Sequence, residues 1–297
     1  MNPWLSAARP RTLPLALSSI IMGGFLAAKD NFFSWSIFGL AILTTICLQV
    51  LSNFANDYGD SKSGVDSKDR KVATRAVQMG FISANQMKNA MILMAALSLL
   101  SGCTLLYISL NTVNIQTYLW FLLLGILAII AAITYTVGKN PYGYAGFGDI
   151  SVLIFFGFVG VCGTYFLFSK QFHLQYLLPA SSCGMFAMAV LNVNNIRDIE
   201  TDTATGKLSI PVRIGREKAK FYHWTLLILG LSCSIFYVFL YFESLTQYLF
   251  LLTFPIFISL GMGIQKGQNP ADFDPFLKKT ALTTLLFVLL FGVGNLL

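Results

Sequence analysis

Charge is scarce in this sequence: only 11% of its 297 residues are Asp, Glu, Lys or Arg, against roughly 25% in a soluble domain. The composition excludes a polar globular domain, and no linker or low-complexity tract interrupts the chain. There are two histidines, His173 and His223, far apart, which argues against a zinc centre. The five cysteines, Cys47, Cys103, Cys162, Cys183 and Cys233, form no CxxC pair and all lie inside apolar runs. They read as small buried hydrophobes rather than disulfides or metal ligands. Alternating apolar and polar strand patterns of the barrel type are missing.

What is there in abundance is apolar sequence. Hydrophobic residues make up 56% of the chain and mean hydropathy is +0.68. Runs near 20 residues, enough to cross about 30 Å of hydrocarbon, recur from end to end. They predict an all-α, polytopic membrane protein in a single domain, 1–297. Nine spans are expected, near 12–29, 34–56, 86–109, 116–137, 148–169, 175–197, 221–242, 245–265 and 276–296. The basic start of "MNPWLSAARPRTLPLALSS" reads as the flank of a first spanning helix rather than a cleaved leader, because the rest of the chain is equally apolar.

Charge sets the expected orientation. With the N-terminus in the cytoplasm, all of the 20 basic residues except Lys29 and Lys170 fall on the cytoplasmic side. The C-terminus is then outside. All of the 13 acids except Asp30 and Glu243 also fall on the cytoplasmic side. Acids contribute little to orientation, so their clustering asks for another cause. The two longest loops, about 57–85 and 198–220, lie on that face and carry most of them.

Two acidic stretches stand at equivalent places. "NFANDYGDSKSGVD" (53–66) follows the second span, and "NNIRDIETD" (194–202) closes the sixth. With Asn56 aligned on Asn194, Asp60 falls on Asp198, which reads as a pseudo-repeat across four spans. On a helix, residues four apart share a face. Asn56 with Asp60, and Asn194 with Asp198 and Asp202, form polar stripes; Asp57 joins the first, and Glu200 points away from the second. Carboxylates so gathered repel one another unless a cation arrives. Oxygen donors without His or Cys favour a hard ion, Mg²⁺ above all, which bridges carboxylates to phosphate oxygens. The carboxylates of the two stretches could clamp a diphosphate through Mg²⁺. Arg70, Arg75, Lys139 and Arg197 are cations placed to hold phosphate. A Mg²⁺-diphosphate at the mouth of an apolar bundle points to a polyprenyl diphosphate, with its tail among the helices or in the lipid bilayer.

The stretches "NDYGDSKSGVD" and "DIETD" resemble the two aspartate-rich motifs of the UbiA superfamily of intramembrane prenyltransferases, and the resemblance spans nearly the whole chain. The usual first motif reads NxxxDxxxD; here Gly64 stands four after Asp60 and the third acid comes at Asp66. That spacing, with "ARPRTLP" (8–14) and "NPYGYAGFGDISVLIFFGFVGVCGTYF" (140–166), is similar to the branch that prenylates 1,4-dihydroxy-2-naphthoate. The resemblance implies nine helices around a central cavity with two capping loops, and an aromatic acceptor attacked at its carboxyl-bearing carbon with loss of CO₂, giving demethylmenaquinone. It implies Mg²⁺ held by Asp57 or Asp60 and by Asp198 and Asp202, with Asp66 as the first motif's third acid and a further metal ligand, and catalytic roles for Asp60, Asp198, Lys139 and Tyr135, the last two from "YTVGK". Substrate-binding candidates are Asn53, Asn56, Arg75, Lys139, Tyr142, Tyr144, Asp149, Asn194, Asn195 and Arg197. Tyr135 reads equally as an interfacial aromatic, Lys139 as a topogenic charge and Asp149 as a helix cap; Tyr142 and Tyr144 stay similarly open. Another acceptor such as 4-hydroxybenzoate fits the same residues, and a cation transporter is the alternative of a different class. No nucleic-acid partner is expected, and the sequence is silent on oligomeric state.

Overall fold

A computed structural model describes residues 2–63 and 76–297. Among the described residues every regular element is helical, and nine helices are long and apolar enough to cross a membrane: Pro3–Lys29, Trp35–Lys62, Ala84–Leu110, Ile115–Thr134, Gly148–Ser169, Leu174–Arg197, Arg216–Leu240, Leu245–Lys266 and Pro270–Leu296. The nine expected spans are all present.

Their ends differ from the expected ones in ways that matter for the site. The second helix does not stop near residue 56; it continues to Ser63, so Asn56, Asp57 and Asp60 belong to its last turns rather than to a loop. The sixth passes almost unbroken into a short helix, Ile199–Ala204: the Asp198 N–H donates to the Asn194 carbonyl at 3.1 Å and the Asp202 N–H to the Asp198 carbonyl at 2.8 Å. The expected 198–220 loop therefore contains two short helices, this one and Ile210–Ile214. The first span starts earlier than expected, with a short helix Pro3–Ala8 that breaks at Arg9 before Leu13–Lys29. The ninth starts at Pro270, where Asn269 and Asp272 form a reciprocal cap.

The first span packs on the second, fifth and ninth, and the sixth on the fifth, seventh and ninth. A dense aromatic core fills the region among spans six, eight and nine: Phe186 stacks on Phe257 at 4.6 Å and meets Phe287 edge-on at 4.9 Å. Phe250 and Phe291 join it. The fourth span is different. It packs on the second and third, and none of its residues is fully buried. At its far end the Phe121 ring stacks on Phe166 of the fifth span at 4.9 Å. The fifth span itself is wound as a wide i→i+5 helix over Leu153–Gly163, a geometry often found beside functional sites.

The end remote from the acidic motifs is closed by polar pairs. Asp30 accepts hydrogen bonds from the hydroxyls of Tyr165 and Tyr176, both at 2.6 Å, and Lys29 lies 3.1 Å from Glu243. The five cysteines are free thiols within or against the helical core, as their apolar settings imply. Replacing Asp30 by Ala leaves two phenolic hydroxyls without their acceptor in the interior. Hydrogen bonds to a charged group contribute about 1.5–3 kcal/mol, so Asp30→Ala is expected to lower the thermal unfolding midpoint in detergent while leaving turnover of folded protein near that of the parent.

Candidate active site

A cavity of about 460 Å³ runs inward from the motif-bearing end of the bundle. Its deeper wall is apolar, with Ile20, Leu105, Leu106, Leu122, Phe155, Phe156 and Val159 among the lining. Its mouth is polar: Asn53, Asn56 and Asp60 enter from the second span, Asn194 and Asn195 from the sixth, and Lys207, Arg9 and Arg11 from the flanking segments. Helical spacing explains the first set. Asn53, Asn56 and Asp60 recur at intervals of three and four, which puts them on one face, and Gln49 extends that stripe one turn deeper.

The acids are handled one by one. Asp57 is buried and turned away from the cavity lining; its carboxylate accepts the Ala76 N–H at 3.2 Å and the Val77 N–H at 3.3 Å, tying the chain on the far side of the 64–75 segment to the second helix. Asp60 is buried in the cavity wall and accepts a hydrogen bond from the Tyr144 hydroxyl. Asp198 is gripped by Arg197, whose Nε and Nη2 reach its two oxygens at 2.8 Å each. The same guanidinium reaches Asp274 at 2.7 Å and Asn194 at 2.9 Å. Asp202 pairs with Lys207 at 2.9 Å. Its carboxyl is nonetheless held above the usual carboxylate range, chiefly by burial and then by the negative charges of Asp198 and Asp60, against the pull of Lys207. The two motifs, 138 residues apart in their aligned aspartates (198 against 60), therefore act on one another electrostatically.

The 135–147 turn sits over this mouth. Thr136 donates to the Ala55 carbonyl at 3.0 Å and to Asn56 Oδ1 at 3.1 Å. Tyr135 lines the cavity and meets the Tyr142 ring edge-on at 5.3 Å. The Tyr142 hydroxyl donates to the Ala131 carbonyl and shares a hydrogen bond with Ser151, each at 3.0 Å. Asp149 is buried outside the cavity lining and accepts from the Tyr222 hydroxyl at 3.0 Å, so it links the fifth and seventh spans. Lys139 is exposed and off the cavity wall. Arg197, read from the sequence as a phosphate cation, has its guanidinium taken up by Asp198, Asp274 and Asn194. Asp66, Arg70 and Arg75 lie outside the described residues.

The donors fit a hard divalent ion in character. They are oxygens from carboxylates and amides, and Asn195 Oδ1, on a cavity-lining residue, is buried without a hydrogen-bond partner. Among the described residues no group of three acidic, His or Cys side chains is placed to hold a metal ion by itself. Mg²⁺ commonly takes one or two carboxylates and completes its shell with water and phosphate oxygens.

Sequence reading passed over Lys207, Arg9, Arg11 and Asp274. Lys207 had a legible signal. "TATGK" ends a helix with Gly206 in the left-handed region (φ 74°); the Lys207 N–H donates to the Asp202 carbonyl at 2.9 Å and the Gly206 N–H to the Thr203 carbonyl at 3.2 Å. This glycine-capped helix end folds the next residue back over the last turn, which sets Lys207 beside Asp202. Asp274 gave no local signal; its partners Arg11 and Arg197 come from distant segments.

Gly59, inside "NDYGD", has a steric reason. A Cβ there would fall on the carbonyl of Thr136. Gly59→Ala is therefore expected to push the 135–137 turn off the second helix, break the Thr136–Asn56 hydrogen bond and lower turnover by at least about tenfold. The loss of stability should be smaller, on the order of 1–3 kcal/mol for an overpacked contact. Paired activity and unfolding measurements check this.

The chain matches the model of the UbiA prenyltransferase family over residues 16–287. It is 45% identical to 1,4-dihydroxy-2-naphthoate octaprenyltransferase of Haemophilus influenzae, over 100% of this chain and 96% of that protein. It is 43% identical to the enzyme of the same name from Escherichia coli, over 98% of this chain and 94% of that protein. The fold resembles the apo structure of a UbiA homolog from Aeropyrum pernix (TM-score 0.67, 18% identity, 94% of this chain and 96% of that one). It also resembles a UbiA homolog from Archaeoglobus fulgidus bound to DMAPP and Mg²⁺ (TM-score 0.61, 17% identity, 98% and 99%). With Asp60 of the first motif and Asn194 and Asn195 of the second on the wall of one intramembrane cavity, Asp198 and Asp202 lying just off that wall, and matches along its whole length, this chain belongs to the UbiA prenyltransferase family and is a membrane-embedded transferase.

Proposed function

We propose that this protein transfers a polyprenyl group from polyprenyl diphosphate to 1,4-dihydroxy-2-naphthoate, with loss of CO₂, in the plasma membrane (the inner membrane of a two-membrane cell). The observation that supports this reading is that Asp60 of the first motif and Asn194 and Asn195 of the second line the polar mouth of a single apolar cavity, with Asp202 close enough to feel the charge of Asp60. The naphthoate as acceptor rests on the names of the relatives at 43–45% identity. The N-terminus and the motif-bearing end face the cytoplasm, by the distribution of basic residues, and the C-terminus lies outside.

In this reading the prenyl tail lies along the apolar wall and leaves between the loosely joined fourth and fifth spans. Its diphosphate sits at the mouth. Asp60 from the first motif and Asp198 and Asp202 from the second would each reach Mg²⁺ carried by the diphosphate, one or two carboxylates to an ion, with Asn56, Asn194 and Asn195 as neighbouring oxygen donors. Bound there, the ion neutralises charge as the diphosphate departs. Lys207 is the cation on the cavity wall nearest the second motif and holds a phosphate oxygen. Tyr144 orients Asp60, and Arg197 orients Asp198. Tyr135, Tyr142, Phe155 and Phe156 exclude water, and their faces stabilise an allylic cation by roughly 0.5–2 kcal/mol each.

The bond between the allylic carbon and the diphosphate oxygen breaks, and its electron pair leaves with the diphosphate. The electron-rich ring forms the new C–C bond at the carbon bearing the carboxylate. The C–CO₂ bond then breaks, and its electrons restore the aromatic ring. The product is the prenylated naphthalenediol, the reduced form of demethylmenaquinone.

The test supplies membranes containing the protein with labelled polyprenyl diphosphate, Mg²⁺ and either the naphthoate or 4-hydroxybenzoate. Prenylated naphthalenediol and labelled CO₂ from carboxyl-labelled naphthoate are expected. Product from 4-hydroxybenzoate alone would sink the acceptor assignment. Asp60→Asn and Asp198→Asn are expected to lower turnover by about 100-fold or more, the scale of losing a transition-state charge contact; Asp60→Asn should stay folded and inserted, while Asp198→Asn should also lose stability, by about 3–5 kcal/mol, because Arg197 is left uncompensated. Chelation of divalent ions should abolish turnover of the parent and its restoration should follow added Mg²⁺.

A further inference from the structure

Arg9 is the residue whose placement the mechanism above leaves unused. It lines the cavity, and it adopts a left-handed backbone conformation (φ 49°, ψ 65°) that side-chain-bearing residues seldom take. Pro10 already disfavours the right-handed helical region for the residue before it. The surroundings hold this turn firmly. Asn53 Nδ2 donates to the Ala8 carbonyl at 2.8 Å and to Thr12 Oγ1 at 3.1 Å; Thr12 Oγ1 donates to the Arg9 carbonyl at 2.9 Å. Gln49 Nε2 reaches Thr12 Oγ1 at 3.3 Å. Two amide side chains of the second span thus fix the turn that carries Arg9, with Arg11 two residues on and also on the cavity wall.

This wall differs chemically from the one at the acidic motifs. The groups holding the turn are neutral amides and a hydroxyl, and Asn53 lies seven residues before Asp60 on one helix, about 10 Å deeper along its axis. A metal-bound diphosphate calls for carboxylates to carry the metal. A planar carboxylate is matched by a guanidinium fork, and Arg11 is already drawn to Asp274 at 3.7 Å. We propose that Arg9 receives the carboxylate of the aryl acceptor and so sets which ring carbon faces the prenyl group. The inference rests on the acceptor being an aryl carboxylate, as in the proposed function.

The test uses full-length protein in nanodiscs and compares the parent with Arg9→Gln and Arg9→Lys. In Arg9→Gln the KM for 1,4-dihydroxy-2-naphthoate should rise about tenfold to a hundredfold, the scale of a charge-assisted hydrogen bond, with KM for polyprenyl diphosphate unchanged. Arg9→Lys, which keeps the charge and loses the fork, should fall between; if Arg9→Gln does not fold, Arg9→Lys is read by the same ratio of the two KM values. The inhibition constant of 1,4-naphthalenediol, which lacks the carboxylate, should be the same in parent and variants. Equal weakening of the diol, a rise confined to the KM for polyprenyl diphosphate, or no change in either KM would overturn the proposal. If the parent uses 4-hydroxybenzoate instead of the naphthoate, the acceptor assignment falls but Arg9 is still decided, by the same comparison of 4-hydroxybenzoate with phenol.

Discussion

A carboxylate removed from water must be given a partner, and the mouth of this cavity is organised around that requirement. An isolated buried charge is too costly to keep ionised, so each acid has its own solution. Asp57 takes backbone N–H groups, Asp60 a phenol, Asp198 a guanidinium and Asp202 an ammonium. These partners come from five places in the chain, residues 76–77, 144, 197, 207 and 274, the last acting through Arg197. Neutralising the acids therefore also gathers the segments that cap the cavity.

Arg197 shows how far this goes. One guanidinium holds Asp198 in a two-pronged pair, reaches Asp274 of the ninth span and steadies Asn194. Asp274 in turn lies 3.7 Å from Arg11 of the first span. Removing one member of such a buried pair costs about 3–5 kcal/mol, because the other charge is left uncompensated. The chain Arg11–Asp274–Arg197–Asp198 thus ties the first, sixth and ninth spans at the mouth, while Asp57 and Thr136 tie the second span to its neighbours. A metal arriving with substrate would compete at Asp198 with the Arg197 guanidinium already in place, so binding there would be an exchange of partners and not the filling of a bare charge.

The sequence made the architecture readable because two independent periodicities agreed. Apolar run length located nine spans, and the expected one-sided placement of the basic residues supported that count, since a missed helix would scramble it. The site was readable as a set of residue types at equivalent helix ends, since Asn and Asp four apart on a helix share a face whatever surrounds them. What it could not supply was which partner each acid takes. Arg197 looks like a phosphate cation from its position beside Asp198, yet its donors are used within the protein because Asp274, 77 residues on, folds against it. Lys139, placed by motif likeness, is exposed, while Lys207, counted only as a topogenic charge, lines the cavity. Both differences arise from tertiary pairing, which one-dimensional spacing does not encode. Arg9 was hidden for another reason: its orientation comes from a backbone turn held by Asn53 and Thr12, and nothing in "ARPRT" alone marks that turn.

Polarity falls off sharply below the mouth, and this confines the chemistry to one end. Several hydroxyls on the deeper faces are satisfied locally: Ser98 and Ser101 bond back to their own helix, at 2.8 and 2.7 Å, and Thr44 joins Ser101 at 3.0 Å. At the opposite end the charges close on themselves, Asp30 with two tyrosines and Lys29 with Glu243. An ion crossing the bundle needs donors along its whole path, and here a long apolar wall separates the two polar ends. The same wall suits a hydrocarbon tail, for which the absence of polar partners is the favourable condition. The fourth span, packed on two neighbours and without a fully buried residue, leaves that wall bounded by lipid on one side. An apolar chain can then pass between protein and bilayer with little change of solvent, while the charged head stays at the mouth where its partners are.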